Sequence, residues 1–161
     1  MNNIEFCLTR RKAEQPAFVN VLKALPDERL DYRPDPKSRT ALQLAWILAV
    51  DDASLIPILD KGSMHWKEGT PPSKLGEIIA GFERNYEAVN ERLARTDEAT
   101  WLKPARLLMG GDSVWETTVG EFVWGVFFDM VHHRGQLSTY IRPMGGKVPA
   151  IYGPSADSGG Q

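Results

Sequence analysis

The clearest helical signal in the chain lies in residues 118–143, which read TVGEFVWGVFFDMVHHRGQLSTYIRP. Thr118 is followed three residues later by Glu121, a pattern typical of a helix start, and Pro143 marks the stop. Between these limits the segment is apolar around most of its circumference, so it must be covered on more than one side. The stretch predicts a long helix in the core of a helical bundle.

Three more segments carry helical periodicity or capping patterns, at about residues 2–25, 40–59 and from 73 onward. Pro16 predicts a kink in the first, and Pro57 is a possible earlier end for the second. The second segment resembles the fourth in being apolar around most of its circumference. One bundle core covers only one stripe of a helix, so the remainder needs the C-terminal tail, a long loop or a second subunit. Of these we expect the second subunit, in a homodimer.

The connections between these helices are long, which permits crossovers. Within residues 96–117, Gly110-Gly111-Asp112 marks a turn, and the apolar residues on either side predict a short pair of strands. The sequence therefore predicts an all-α fold, a four-helix bundle with long crossover loops, as one domain over residues 1–161. The polar tail from about 155 to 161 is expected to be loosely ordered.

Composition excludes several classes of protein. The 161 residues include 19 Lys and Arg against 21 Asp and Glu, a net charge of -2, so no nucleic-acid partner is expected. Cys7 is the single cysteine, which excludes a disulfide scaffold. No uncharged apolar stretch reaches about 18 residues, and the first residues do not read as a targeting signal. We therefore expect a cytoplasmic protein that does not span a membrane.

Asp129 and His133 are the most informative polar pair. They are four residues apart, so both side chains lie on one face of the fourth helix, where they could bind one metal ion. The alternative, favoured by spacing alone, is a buried ion pair or hydrogen bond between the two. His132 is rotated by about 100° from His133 and is expected to be partly exposed.

Two other positions in the helices give weaker signals. Asp51 lies one turn beyond Ile47 in the second helix, where it could point to a cavity or cap a neighbouring loop. Gly135 interrupts the fourth helix at a cost of about 1 kcal/mol relative to alanine, which predicts close helix packing at that point.

Two stretches resemble the DinB-like family of four-helix-bundle proteins. They are residues 132–149, HHRGQLSTYIRPMGGKVP, and residues 30–40, LDYRPDPKSRT, which lead into Leu44-Ala45-Trp46. The resemblance implies a bundle with a crossover, frequently dimeric. It also implies a divalent metal, zinc or nickel among others, held by three histidines, one in the second helix and two in the fourth. Some members use low-molecular-weight thiols in transfer or isomerase reactions.

The chain departs from that histidine pattern. Ile47 and Asp129 stand in place of two family histidines, and only His133 is kept. The resemblance therefore implies a protein of unassigned reaction with a degenerate metal site and a cavity sized for a small-molecule ligand. The predicted cavity residues are Trp46, Ile47, Phe122 and Val126. The alternative is a zinc- or nickel-dependent enzyme, a transferase or hydrolase-like protein that could use a thiol, with Asp129 and His133 as ligands and water or Asp51 completing the set.

Overall fold

The structure is a computed structural model that describes residues 1–158. Its helices are α1 (Asn3–Lys23), α2 (Ala41–Lys61), α3 (Leu75–Leu93), the short α4 (Glu98–Trp101) and α5 (Val119–Ile141). Its strands are β1 (Ser63–His65), β2 (Pro104–Met109) and β3 (Asp112–Thr118).

Three of the four long helices begin where the capping patterns predict. Asn2 and Thr40 each form a complete capping box, and the Thr118 hydroxyl accepts a hydrogen bond from the backbone N–H of Glu121. Pro57 lies inside α2, which continues to Lys61 and ends at Gly62 in the left-handed conformation. The capping residues thus fix the starts of these helices.

The four long helices surround a common core. α1 packs on α3 and α5, and α2 packs on the same two helices, so α1 and α2 lie diagonally across the bundle. This arrangement needs the long α1–α2 connection as a crossover. Four aromatic side chains fill the centre, namely Phe18, Phe82, Tyr86 and Phe127.

A small mixed sheet lies at one end of the bundle. β2 and β3 form the antiparallel hairpin that the turn signal at Gly110-Gly111-Asp112 predicts. β1, which follows α2, pairs with β2 in parallel. The expectation of a mostly helical fold is confirmed, whereas all-α is too narrow, because β1 makes the hairpin part of a three-stranded sheet.

α2 is long and apolar enough to cross a membrane by length and composition alone, with a mean hydropathy of 1.6. Inside the bundle, however, 61% of that apolar window is buried. Its apolar character is therefore explained by its packing against α3, α5 and β1, and it fits the core helix of a soluble protein.

The chain after α5 folds back onto the bundle. The Tyr152 hydroxyl donates a hydrogen bond to Glu14 Oε2 at 2.9 Å. The carboxylate of Asp157 accepts from Arg142 Nε at 2.8 Å and from the backbone N–H of Val148 at 2.9 Å. The predicted loose tail of residues 155–161 therefore makes specific bonds at Ser155 and Asp157, and its last three residues, 159–161, lie outside the described part of the chain.

Candidate metal centre

Three potential ligands meet where α2 packs against α5. Asp51 comes from α2, and Asp129 and His133 come from successive turns of α5. His133 Nε2 lies 3.3 Å from Asp129 Oδ2 and 3.9 Å from Asp51 Oδ2. All three ligand atoms lie within 4.8 Å of one another, so one ion could contact them all.

Gln136 determines which nitrogen of His133 is available. His133 Nδ1 lies 2.8 Å from Gln136 Oε1, one turn further along α5. In the neutral tautomer that donates its Nδ1–H to Gln136 Oε1, the lone pair of the ring is on Nε2. Nε2 is then an acceptor that faces two carboxylates, which is the orientation a metal-binding histidine needs.

Asp51 is a buried carboxylate without a hydrogen-bond donor. Its side chain is 9% exposed, and Oδ2 has no partner among residues 1–158. Burial raises its pKa to about 7, the charge of Asp129 adds to the shift, and the nearby Arg39 guanidinium opposes it. The carboxyl group in this position is therefore either protonated and neutral or, when it is ionised, in need of a counter-charge such as a bound metal ion.

Asp129 lies at the rim of the site rather than in the bundle interior. Its side chain is 56% exposed, whereas that of His133 is 17% exposed. His132 and His65 are both exposed and lie outside the cluster. The centre therefore has a buried side at Asp51 and an open side at Asp129.

The cluster opens into a cavity of about 510 Å³, a size that suits a small molecule. Its polar wall residues are Arg39, Asp51, Ser54, Asp129 and His133. The rest of the wall is glycine or apolar and consists of Ile47, Met64, Trp66, Leu107, Met109, Trp115, Phe122, Gly125 and Val126.

Of the four side chains predicted to line a cavity, Ile47, Phe122 and Val126 lie on this wall. Trp46 lies outside it, because neighbouring residues on a helix are rotated by about 100°. Its indole N–H donates instead to the carbonyl of Glu68 at 2.6 Å.

The β2–β3 hairpin forms one wall of the cavity through Trp115. The indole stacks on Phe122 with ring centroids 4.5 Å apart. It also contacts Gly125 so closely that a Cβ there would lie 2.7 Å from the ring, which explains the glycine. At Gly135, by contrast, a Cβ would meet nothing within 4 Å, so the prediction of close helix packing there is wrong.

The residues present fit a divalent cation. Two carboxylates and one imidazole are three protein ligands, the number that open catalytic sites usually supply. Ligand atoms on a tetrahedral ion lie roughly 3.4 Å apart, close to the His133 separations. The sequence proposed Asp129 and His133 as ligands, with water or Asp51 completing the set, and the structure brings Asp51 to the pair. The signal for Asp51 was a charged residue one turn after Ile47 in an apolar helix, and only the packing of α2 on α5 decides where its side chain points.

Fold and site together define a class: a mostly helical bundle protein with a candidate metal-ligand cluster at the end of an apolar cavity. The model of the DinB family matches residues 3–159. The chain belongs to the DinB family, as the resemblance of its sequence indicates. No curated protein matches the chain.

Solved structures show the same fold. The chain is similar to a DinB-like protein from Bacillus cereus, with a TM-score of 0.75 and 20% identity over 92% of this chain and 97% of that one. A DinB-like protein from Bacillus subtilis gives a TM-score of 0.70 and 14% identity over the same shares. The mycothiol-dependent maleylpyruvate isomerase gives a TM-score of 0.51 and 13% identity, over 89% of this chain and 61% of the isomerase.

Proposed function

We propose that this protein is a divalent-metal-dependent enzyme whose ion is held by Asp51, Asp129 and His133. The proposal rests on one observation above all, the convergence of the ligand atoms of Asp51, Asp129 and His133 within 4.8 Å of one another. Asp51 supplies the third ligand that Asp129 and His133 lack as a pair. The sequence implied a degenerate site because Ile47 replaces a family histidine. In this proposal Asp51, one turn further along α2, supplies a ligand in its place.

A bound divalent ion would lower the pKa of a coordinated water or thiol and so supply a nucleophile near neutral pH. Other side chains of the protein would position the ligands and control the access of water and substrate. Gln136 orients the His133 ring, and Ile47, Phe122 and Val126 exclude water from one side of the site. The exposed side of Asp129 leaves an approach for a substrate from the cavity mouth.

A thiol cosubstrate, in a transferase or hydrolase-like reaction, is part of this proposal. Its support is the fold likeness to an isomerase described as mycothiol-dependent. The ions proposed are zinc or nickel, as in the family, and the two carboxylates also suit Mn²⁺.

A second candidate is a metal-free protein that uses the cavity only to bind a small molecule. Ile47 favours it, since an aliphatic side chain occupies the cavity wall beside the cluster. In that case His133 and Asp129 form the hydrogen-bonded or ionic pair that their spacing also allows.

Calorimetric titration of chelator-treated protein with Zn²⁺, Ni²⁺ and Mn²⁺ separates the two candidates. We expect one ion per chain, and a loss of affinity of more than about a hundredfold in Asp51→Asn, Asp129→Asn and His133→Gln. The matched control is His132→Gln, which removes the adjacent exposed imidazole and should bind normally. Absence of binding in the unmodified protein would favour the metal-free candidate.

We also propose that the protein is a homodimer and that it is located in the cytoplasm. The support for the homodimer is an aromatic patch on α1 and α5, where Phe128 is 63% exposed and Phe6 is 48% exposed. Both rings pack against Trp124, so a second copy placed across the patch would cover all three. Light scattering at micromolar concentration should give a dimer mass, and Phe128→Asp should give a monomer. Cell fractionation tests the compartment.

A further inference from the structure

The wall of the cavity is chemically uneven. Beside the polar cluster the wall presents three aromatic rings and two thioethers, from Trp66, Trp115, Phe122, Met64 and Met109. Flat aromatic rings and methionine sulfur pack favourably against aromatic ligands, by stacking and by sulfur–ring contacts. The shape and chemistry of this wall therefore favour a ligand with an aromatic body.

Few polar groups remain for such a ligand once the cluster holds an ion. Asp51, Asp129 and His133 are then ligands, and the Ser54 hydroxyl already donates to the backbone carbonyl of Asp51 at 2.5 Å. Arg39 is the remaining charged side chain on the wall within the described residues, and the indole N–H groups of Trp66 and Trp115 are neutral donors.

Arg39 is only partly used by the fold. Its Nη1 donates to Glu68 Oε1 at 2.5 Å, while Nε and Nη2 have no hydrogen-bond partner among residues 1–158. Its backbone carbonyl is fixed by the Tyr140 hydroxyl at 3.1 Å, and its side chain is 43% exposed at the cavity mouth. A guanidinium with free N–H groups beside an apolar cavity is suited to pair with a carboxylate.

We propose that the cavity binds an aromatic carboxylate, with its ring against Trp115 and Phe122 and its carboxylate on the free N–H groups of Arg39. The inference rests on the proposed metal site for the inner end of the cavity and adds the substrate class. The rest of the ligand would then lie within the same cavity as Asp129 and His133, which line its wall together with Arg39.

Glu68 makes this proposal unusually testable, since it competes with the ligand for Arg39. Removing the Glu68 charge should release the guanidinium and strengthen carboxylate binding. A purely structural role of the Arg39–Glu68 pair would give the opposite result, because breaking the pair would then loosen the mouth and weaken binding of any ligand.

The probes are hydrocinnamate, a phenyl ring on a short chain with a carboxylate, and hydrocinnamyl alcohol, its neutral counterpart. Titrations followed by calorimetry should show that Arg39→Gln weakens hydrocinnamate about tenfold and leaves the alcohol unchanged. Glu68→Gln should strengthen hydrocinnamate several-fold. Arg33→Gln is the matched control, because Arg33 is an exposed arginine of the same loop that lies outside the cavity wall, and it should change neither probe.

Each titration is run on zinc-loaded and on chelator-treated protein, and the loss in Arg39→Gln is expected in both. Hydrocinnamate binding that needs the metal and ignores Arg39 would overturn this inference while supporting the metal site. Absence of metal binding with the Arg39 effect intact would count against the proposed enzyme and not against the carboxylate site. Equal effects on both probes, an equal effect of Arg33→Gln, or no binding of hydrocinnamate at millimolar concentration would also overturn it.

Discussion

Glu14 and Asp51 are buried carboxylates on opposite sides of α5, and they differ in their partners. Glu14 accepts hydrogen bonds from Arg10 Nη2 at 2.8 Å, Arg134 Nη1 at 2.7 Å and the Tyr152 hydroxyl at 2.9 Å. Asp51 Oδ2 has no donor within the described chain and faces other acceptors. Burial favours the neutral form of both, but the donors around Glu14 outweigh it and lower its pKa, whereas the pKa of Asp51 is raised to about 7.

The difference separates a structural carboxylate from a candidate functional one. The charge of Glu14 is satisfied by the fold and joins α1, α5 and the C-terminal segment. The charge of Asp51 is left unsatisfied, at an energetic cost that a bound cation would remove. Four variants test this contrast, in order of decreasing effect.

Replacement of Glu14 should have the largest effect. Glu14→Gln leaves the fully buried Arg134 without its counter-charge and should lower the free energy of unfolding by about 3 kcal/mol. Urea unfolding at neutral pH measures it. The control is Glu87→Gln on the exposed face of α3, which should stay within about 0.5 kcal/mol of the unmodified protein. A loss below 1 kcal/mol in Glu14→Gln, about what an ordinary hydrogen bond contributes, would contradict the structural role.

The cavity side also depends on the hairpin that closes it. Gly125→Ala places a methyl group against the Trp115 ring and should cost about 1–3 kcal/mol through overpacking. Trp115 should become more exposed, which red-shifts tryptophan emission and makes it easier to quench. Unchanged stability and emission would show that the hairpin does not rest on α5 as described.

Asp51→Asn should behave in the opposite way to Glu14→Gln. The folded-state pKa of Asp51 is raised from 3.8 to about 7, so its favourable effect on stability is complete below 3.8, is lost progressively as pH rises above that value, and is gone above about 7. In chelator-treated protein the substitution should therefore stabilise by about 1 kcal/mol at pH near 8 and have little effect at a pH of about 4. Unfolding measured at both pH values checks the sign, and a loss of stability at the higher pH would mean that Asp51 has a partner after all.

Gly135→Ala gives the smallest expected change, a gain of up to about 1 kcal/mol, because the site is helical and open. Gly135→Ala is the matched comparison for Gly125→Ala. Both replace a glycine of α5 by alanine, but the expected changes in stability have opposite signs. Thermal or urea unfolding of the pair gives the comparison directly, and destabilisation by Gly135→Ala would reveal a neighbour that the structure does not show.

Local patterns predicted the helices, and long-range packing decided the site. The starts of α1, α2 and α5 follow from side chains three residues apart, which the sequence displays directly. Asp51 meets His133 only because α2 and α5 pack together, and a shift of one residue around α2 separates Ile47 on the cavity wall from Trp46 outside it. No local signal identifies such partners.

The same limit applies to the sheet and to the glycines. The hairpin is predicted by its turn, but the parallel pairing of β1 joins residues more than forty positions apart. Gly135 attracts attention in the sequence because it interrupts a helix, yet Gly125, unlike Gly135, is covered by a side chain, the Trp115 ring. The position of the hairpin decides that Gly125 rather than Gly135 is covered. The periodicity of the helix carries no information about the position of the hairpin.

The most direct test of the central claim is an anomalous-scattering map from crystals of the protein grown with Zn²⁺ or Mn²⁺. We expect one strong peak bonded to Asp51 Oδ2, Asp129 Oδ2 and His133 Nε2, with Gln136 still in contact with His133 Nδ1. A map without a peak between these three atoms, or with its only peak at the exposed His132 or His65, would contradict the assignment of this cluster as a metal centre.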